Sequence, residues 1–380
     1  GLKDIKDSLE QDGDWGVLVI DLDGTVISGN QRLKANKGKV DVKVPNRPLT
    51  DKERKRIALR ANRTKGKDNF DILANWDKED LLEGWFDEKD LDRLLSIKED
   101  EFDAQAEYDA IVQPEAVLGD VWALGEHRLL CGDSTKDESY EKLMGGALAR
   151  LVFTDPPYNV GYSYDWRSAL HKGKKVKHNF FNDKKSNEDY FKFIKDVFTN
   201  ALKHTTEDAN FYCWYATKFH SIVEKGLIDA GWKISQMLIW MKNYPVLSMG
   251  QDFHRTYEPC LHGWKSKGKK HYHGPIHNFR DIINWDEFND LFDTWFENRD
   301  KLADYKHPTQ KPIKLAERAL RMSSQVGDIV LECFNGSGST MMACEQLKRK
   351  CFSIELDPIY VDVAIKRWEE FTGQKAQKVL

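Results

Sequence analysis

What this 380-residue chain lacks narrows its class before any motif is read. No apolar run is long enough to cross a bilayer, and no basic–apolar–small leader opens the chain, so neither a membrane protein nor a secreted one is expected. Gly1 stands where an initiator Met would, which reads as a cloning scar or a truncation. The six cysteines, at 131, 213, 260, 333, 344 and 351, include no Cys-x-x-Cys pair. A zinc site is therefore not expected, and buried reduced thiols in a cytosolic protein are the simplest account. There is no internal repeat, no low-complexity tract and no excess of positive charge: 58 Lys and Arg face 62 Asp and Glu, a net charge of −4. Overall charge thus gives no sign of a nucleic-acid partner, and the length leaves room for two domains.

What is present begins with Asp155-Pro156-Pro157-Tyr158, directly after the apolar run Leu151-Val152-Phe153. This reads as a β-strand that stops abruptly and leaves a carboxylate, two rigid prolines and an aromatic ring at its carboxyl end. In open α/β sheets that edge is where ligands bind. The tetrad suits methylation of an exocyclic amine, whose lone pair is delocalised into the base. Asp155 and the Pro156 carbonyl can accept the amine hydrogens and draw the nitrogen towards a tetrahedral, nucleophilic geometry. Pro157 has no N–H to compete, and Tyr158 offers a face for an extruded base. The plain alternative is a proline-rich turn, which four residues alone do not dismiss.

The second signal lies at Asp328–Thr340, where Ile329-Val330-Leu331-Glu332-Cys333-Phe334 runs into Asn335-Gly336-Ser337-Gly338 and a helix follows. The glycines permit close backbone approach to a ligand. The next apolar run ends in Glu355, about 20 residues on, the spacing of an acid that binds ribose hydroxyls. Position 341 is Met, so the third glycine of a dinucleotide fingerprint is missing and a nucleoside cofactor is the better reading.

On these residues the span from about Ala116 to Thr372 resembles the β class of S-adenosylmethionine-dependent DNA amino-methyltransferases, in which the Asp-Pro-Pro-Tyr strand precedes the glycine-loop strand. The resemblance implies an α/β, Rossmann-like class I methyltransferase sheet with helices on both faces and a circularly permuted motif order. It implies that Asp155, Pro156, Pro157 and Tyr158 are catalytic. It also implies that the cofactor is held by Asp133, Thr309, Lys311, Glu332, Phe334, Gly336, Ser337, Gly338 and Glu355, with no metal. Asp133, in Cys131-Gly132-Asp133, would meet the cofactor adenine, and Glu355 its ribose. His307-Pro308-Thr309-Gln310-Lys311-Pro312 would help hold its methionine end. Two departures stand out: Glu332-Cys333 replaces the usual Asp-Pro, and Asn335 replaces a small residue. The first is a one-methylene change, expected at most to weaken cofactor affinity.

The expected partner is double-stranded DNA, and a homodimer and a cognate restriction endonuclease are further partners compatible with the resemblance. The basic run His171–His178, with Lys172, Lys174, Lys175 and Lys177, follows the tetrad and is expected to meet phosphates, and His254, Arg255, His271 and His273 are candidates for DNA contact with no choice among them. A second basic stretch, Lys265–His271, is either a phosphate contact or a solvated loop. Trp264, Trp285 and Trp295 are expected to be local core, and Cys260, in Tyr257-Glu258-Pro259-Cys260-Leu261, apolar filler.

Residues 1–95 are expected to form a separate small α+β domain. The strand Val17–Asp21, the Asp23-Gly24 turn, the strand Thr25–Ser28 and the Gly29-Asn30-Gln31-Arg32 helix start resemble a ParB-like (sulfiredoxin-like) domain that lacks its beginning. That resemblance adds a phosphate site at the helix start, a phage association, and the cytoplasm of a bacterial or phage-infected cell. A charged helix, Asp51–Arg63, presents Arg54, Lys55, Arg56, Arg60 and Arg63 either to DNA or to solvent. Residues 96–115 read as an acidic linker with some helix, 116–380 as the methyltransferase domain, and 244–306 as a target-recognition insert. Adenine N6 is preferred over cytosine N4 because Asp, not Ser, opens the tetrad. An RNA or protein amide methyltransferase, or a DNA-binding protein with a decayed site, are the alternatives; the intact tetrad and glycine loop argue against the last.

Overall fold

A computed structural model of the protein describes residues 18–28, 42–50, 53, 54, 57, 97–160, 184–246, 252–268, 294–296 and 311–380. The chain divides into two compact units, Gly1–Ser96 and Ile97–Leu380.

In the first unit, β1 (Leu18–Ile20) pairs antiparallel with β2 (Val26–Ser28) and parallel with β3 (Val42–Lys43). The expected hairpin therefore forms, and the helix expected after Gly29 lies outside the described residues. Glu53, Arg54 and Ile57 are helical, and Thr50 and Glu53 cap that turn reciprocally. Arg54 turns onto its own unit. Its guanidinium grips Asp21 at 2.6 Å and Asp23 at 2.7 Å, because Asp21 is buried and needs a cation.

The second unit is built on a ten-stranded mixed sheet in the order β10-β8-β9-β7-β6-β11-β12-β5-β4-β13. Its strands are β4 (Val121–Leu124), β5 (His127–Cys131), β6 (Ala149–Thr154), β7 (Thr205–Trp214), β8 (Trp232–Val246), β9 (Arg255–Lys265), β10 (Thr294–Phe296), β11 (Ile329–Glu332), β12 (Lys350–Glu355) and β13 (Gln377–Lys378). The central five, β7, β6, β11, β12 and β5, are all parallel. Such strands are covered on both faces and read as continuous apolar runs. Strand alternation sends Val152, Leu331, Phe352 and Ile354 into one core with Tyr140, Ile194, Phe198 and Val223. Those partners belong to α2 (Asp137–Met144), α3 (Asn187–Lys203) and α4 (His220–Asp229). Leu151, Val330 and Cys351, on the opposite face, are equally buried. There the sheet meets α5 (Ile313–Ser323), α6 (Ser339–Gln346) and α7 (Pro358–Thr372). All six cysteines are buried and free. Among the described residues no helix is long and apolar enough to cross a membrane.

Two expectations about organisation are corrected. Residues 97–115 are not a free linker. Within them α1 (Ala104–Ala110) is capped by Asp103, and Ala104 is fully buried. Asp100 accepts from Arg367 Nε and Nη2 at 2.7 and 2.8 Å, Glu99 caps the start of α5 through the Ile313 and Lys314 amides, and the Lys98 amide and carbonyl bond the Gln346 side-chain amide. The acids that made this stretch look like a solvated linker are its docking groups. Residues 244–306 are not wholly an insert either: β9 lies between β7 and β8 in the central sheet, and β10 extends it. Lys265 is buried and donates to the Thr205 carbonyl at 2.7 Å, so the second basic stretch does not begin as a phosphate contact. Trp295 is core, 6.1 Å from Trp214, and Trp264 is half-buried beneath Lys233. Trp285 lies outside the described residues.

Candidate active site

Between β6 and β11 the order of strands reverses: the chain leaves β6 towards β7 and returns to β6's other side as β11. Ligands bind at such a switch point, outside the carboxyl ends of the strands. Asp155 follows β6, the loop Cys333–Gly338 follows β11, Glu355 ends β12 and Asp133 follows β5. The four motifs expected from sequence therefore share one sheet edge.

The tetrad is rigidly held. The Pro157 carbonyl accepts from Tyr190 Oη of α3 at 2.9 Å. Asn159, left-handed at φ 57°, ties the loop's exit to Lys185 through two hydrogen bonds of 3.1 and 2.5 Å. Tyr158 packs on the core and donates from Oη to Glu258 at 3.2 Å. Lys311 Nζ contacts Asp155 Oδ2, donates to Tyr158 Oη at 2.9 Å and stands 3.6 Å from Glu258 Oε2. Lys242 is paired with the other oxygen of Glu258. Four charged groups and one phenol thus form a neutral cluster under the cleft. Burial alone would push the Glu258 carboxyl up, but the Lys311 and Lys242 ammoniums outweigh it and hold it down at about 2. Burial raises Asp155 above the ordinary carboxylate value, against the pull of Lys311.

Lys311 is thus placed on the tetrad carboxylate, with Asp155 and Glu258 as the buried anions beside it. Sequence reading missed Lys242 and Glu258. The available signal was a charge inside an otherwise apolar strand, as in Leu238-Ile239-Trp240-Met241-Lys242 and Tyr257-Glu258-Pro259-Cys260-Leu261. Cys260, beside Glu258, is fully buried filler as expected.

The glycine loop has the form of a nucleoside cradle. Gly336 and Gly338 have φ of 51° and 86°, which side chains adopt only with strain, and nothing lies within 4 Å of the point a Gly336 Cβ would occupy. Gly336 N donates to Glu355 Oε2 at 2.7 Å and Asp357 N to Glu355 Oε1 at 2.9 Å. Burial lifts the Glu355 carboxyl to about 7. Gly132 N reaches the Glu355 carbonyl at 2.8 Å, and Asp133 Oδ1 folds onto the Thr135 amide and hydroxyl. Phe334 packs 5.6 Å from Phe193. The Ser337 carbonyl accepts from Arg367 Nη1 at 3.0 Å, so the Asp100–Arg367 pair props the loop from behind. Asp155 Oδ1 and Asn335 Oδ1 are buried acceptors with no donor among the described residues. A ligand rich in N–H and O–H groups fits this edge. Among the described residues no group of three or more His, Cys, Asp or Glu is placed to hold a metal.

Glu332 is not at the cleft. It is 2% exposed; Thr154 Oγ1 and Phe334 N donate to Oε1 and Thr340 Oγ1 to Oε2. Its carboxyl braces β6, β11 and α6. Burial raises it from 4.5 to about 8. The folded state thus favours the protonated acid, whose stabilisation is whole below 4.5 and is lost as pH rises through 8. Wild-type stability should fall over that window by up to about 1.4 kcal/mol per pH unit from this group. Glu332→Gln, whose amide can donate to the Thr340 hydroxyl, should remove that part of the slope. Denaturant unfolding of both proteins at about pH 5 and about pH 8 checks it, and parallel changes in the two would mean that Glu332 is ionised throughout.

Thr309, Lys172, Lys174, Lys175 and Lys177 lie outside the described residues. His254 is exposed, and Arg255, half-buried, opens β9 at Val246.

The DNA methylase profile, that of the N6 and N4 methyltransferases, matches residues 149–366. The type II methyltransferase M2.DpnII of Streptococcus pneumoniae is 30% identical over 237 residues, 58% of this chain and 82% of that protein. The type II methyltransferase M.HpaI of Haemophilus parainfluenzae is 26% identical over 267 residues, 65% of this chain and 76% of that one. Among solved structures, the M1.HpyAVI–SAM complex aligns over 63% of this chain and 98% of its own, with 20% identity and a TM-score of 0.43.

Proposed function

The chain belongs to the DNA methylase family of N6 and N4 methyltransferases, and on that premise we propose that Asp155 and its neighbours methylate the exocyclic amine of a flipped-out base, adenine N6 before cytosine N4. The protein is a DNA methyltransferase, and its cofactor is S-adenosylmethionine. The observation that carries the site assignment is the buried, partnerless Asp155 Oδ1 at the end of β6, one strand from the glycine loop.

When bound, S-adenosylmethionine supplies an electrophilic methyl group. Phe334, Gly336, Ser337 and Gly338 form its cradle, Asp133 takes its adenine amine and Glu355 its ribose. Asp155 accepts one amine hydrogen and the Pro156 carbonyl the other, which turns the nitrogen lone pair away from the ring. Tyr158, fixed through its hydroxyl, carries the base on its ring. Transfer would form the N–C bond as the S–C bond breaks, its electron pair staying on the thioether sulfur, and the Asp155 carboxylate would be the base at hand for the surplus proton on nitrogen. Holding the two reactants in line supplies much of the rate. An Asp at the head of the tetrad favours adenine.

The finer parts of this reading extend outwards. Lys172, Lys174, Lys175, Lys177, His254 and Arg255 are read as phosphate contacts, with the part of 244–306 outside the sheet as recognition element. Thr309 is read as a cofactor contact. The motif order is read as circularly permuted. Residues 1–95 are read as a ParB-like domain of a phage-associated protein. Double-stranded DNA in the cytoplasm is the substrate, with a homodimer and, since relatives are type II methyltransferases, a cognate endonuclease as further partners.

Unmethylated plasmid DNA incubated with protein and S-adenosylmethionine, then digested to nucleosides for mass spectrometry, tests the reading. N6-methyladenine is expected. N4-methylcytosine would keep the mechanism and overturn the base. No methylated base from protein that binds cofactor would overturn the reading.

A further inference from the structure

The resting cluster poses a chemical problem that the tetrad alone does not solve. Lys311 holds Asp155 Oδ2, so the carboxylate that must accept the target amine is already neutralised. As the methyl transfers, the amine nitrogen becomes positive. An ammonium beside it opposes that charge strongly in a site of low dielectric. The Lys311 ammonium therefore needs a second anion within reach.

Glu258 provides one. Its Oε2 is 3.6 Å from Lys311 Nζ, so a shift of about 1 Å gives a full hydrogen bond. Tyr158 Oη lies between the two positions, accepting from Lys311 at 2.9 Å and donating to Glu258 at 3.2 Å. The Tyr158 and Trp214 rings flank the ammonium at 5.2 and 5.6 Å. Lys242 keeps the opposite oxygen of Glu258 paired, so the acceptor stays in place when Lys311 is elsewhere. The charges balance in both arrangements, because two carboxylates share two ammoniums.

We propose that Glu258 is a positioning residue that receives the Lys311 ammonium when the target amine displaces it from Asp155. This rests on the reading of Asp155 as the amine's acceptor. Lys311 is then a resting counter-ion for the catalytic carboxylate, and Glu258 its parking site. Removing Glu258 pins Lys311 on Asp155. Removing Lys311 as well frees Asp155 again and leaves one carboxylate with one ammonium, Lys242, so the double variant is balanced where each single variant is not.

The test is a double-mutant cycle on methyl transfer to unmethylated plasmid DNA with labelled S-adenosylmethionine, using wild type, Glu258→Gln, Lys311→Met and the pair, with melting curves for folding. Glu258→Gln should lose activity by on the order of tenfold to a hundredfold, and the double variant should be more active than Glu258→Gln alone, as coupled contacting charges allow. A double variant no better than Glu258→Gln overturns the proposal, since a structural role for Glu258 is not rescued by truncating Lys311. Should Glu258→Gln not fold, Glu258→Asp keeps the charge one methylene further from Lys311. It should fall between wild type and zero and be rescued likewise by Lys311→Met; failure of that rescue overturns the proposal. Wild-type protein that transfers no methyl group, or transfers equally well as Asp155→Ala, overturns the reading of Asp155 and the proposal together. An active wild type with multiplicative losses overturns the proposal alone.

Discussion

Asp155→Ala should lower kcat for methyl transfer by roughly a thousandfold, within the range for losing a positioned acid–base group, while cofactor affinity changes by no more than about twofold. The two halves of this expectation come from different strands. Asp155 follows β6 and touches Lys311, whereas the glycine loop is held by Glu355, Arg367 and its own amides. Truncating Asp155 removes both carboxylate oxygens, including the buried Oδ1 that has no other partner among the described residues. It should not collapse the cluster, because Lys311 keeps Glu258 3.6 Å away. Single-turnover transfer measured beside calorimetric titration of S-adenosylmethionine separates the two quantities. A variant that retained a tenth of the wild-type rate would place the amine's acceptor elsewhere.

Gly263→Ala should be the most damaging single methyl in the second unit. Gly263 pairs with Phe211 of β7 on one side and Ile234 of β8 on the other. A Cβ there would lie 1.8 Å from the Lys233 carbonyl oxygen and 2.9 Å from Phe211 Cε1. Backbone cannot step aside as a long side chain can, so relief means prising β8 from β9. A loss above about 4 kcal/mol, with a melting temperature lower by roughly 10 °C or no soluble protein at all, follows from overpacking between central strands. Thermal unfolding measures it, and a variant that melts within about 2 °C of wild type would mean that the strands part more easily than their pairing implies. The strain would reach the site, because β9 also carries Glu258.

The strongly periodic parts of this fold were legible in the sequence. Apolar runs gave the central strands, and the tetrad and glycine loop fell on the strand ends where the switch-point rule puts them. What could not be read was anything set by long-range pairing. Glu258 and Lys242 are 16 residues apart and become partners only because β8 and β9 pair antiparallel, with Trp240 opposite Glu258. The same pairing drew β9 out of a stretch that looked like an insert, because its Pro259, His262 and Gly263 hide the strand pattern. Residues 97–115 misled for an electrostatic reason. Acids usually mean solvent, and here Asp100, Glu99 and Glu107 are spent on Arg367, the start of α5 and Lys366.

The bracing of the glycine loop has a bearing on what the family can share. The span that the methylase profile covers runs from 149 to 366. Arg367, which holds the Ser337 carbonyl, stands just beyond it, and Asp100, which aims that guanidinium, lies well before it. Tyr108, which donates to Asp357 near Glu355 at 2.9 Å, is outside as well. The loop's shape thus belongs to the matched span, while its stiffness is supplied from outside, by a strap of residues that the family pattern does not specify. Changes in this strap would alter the loop's stiffness while leaving every residue of the loop itself in place.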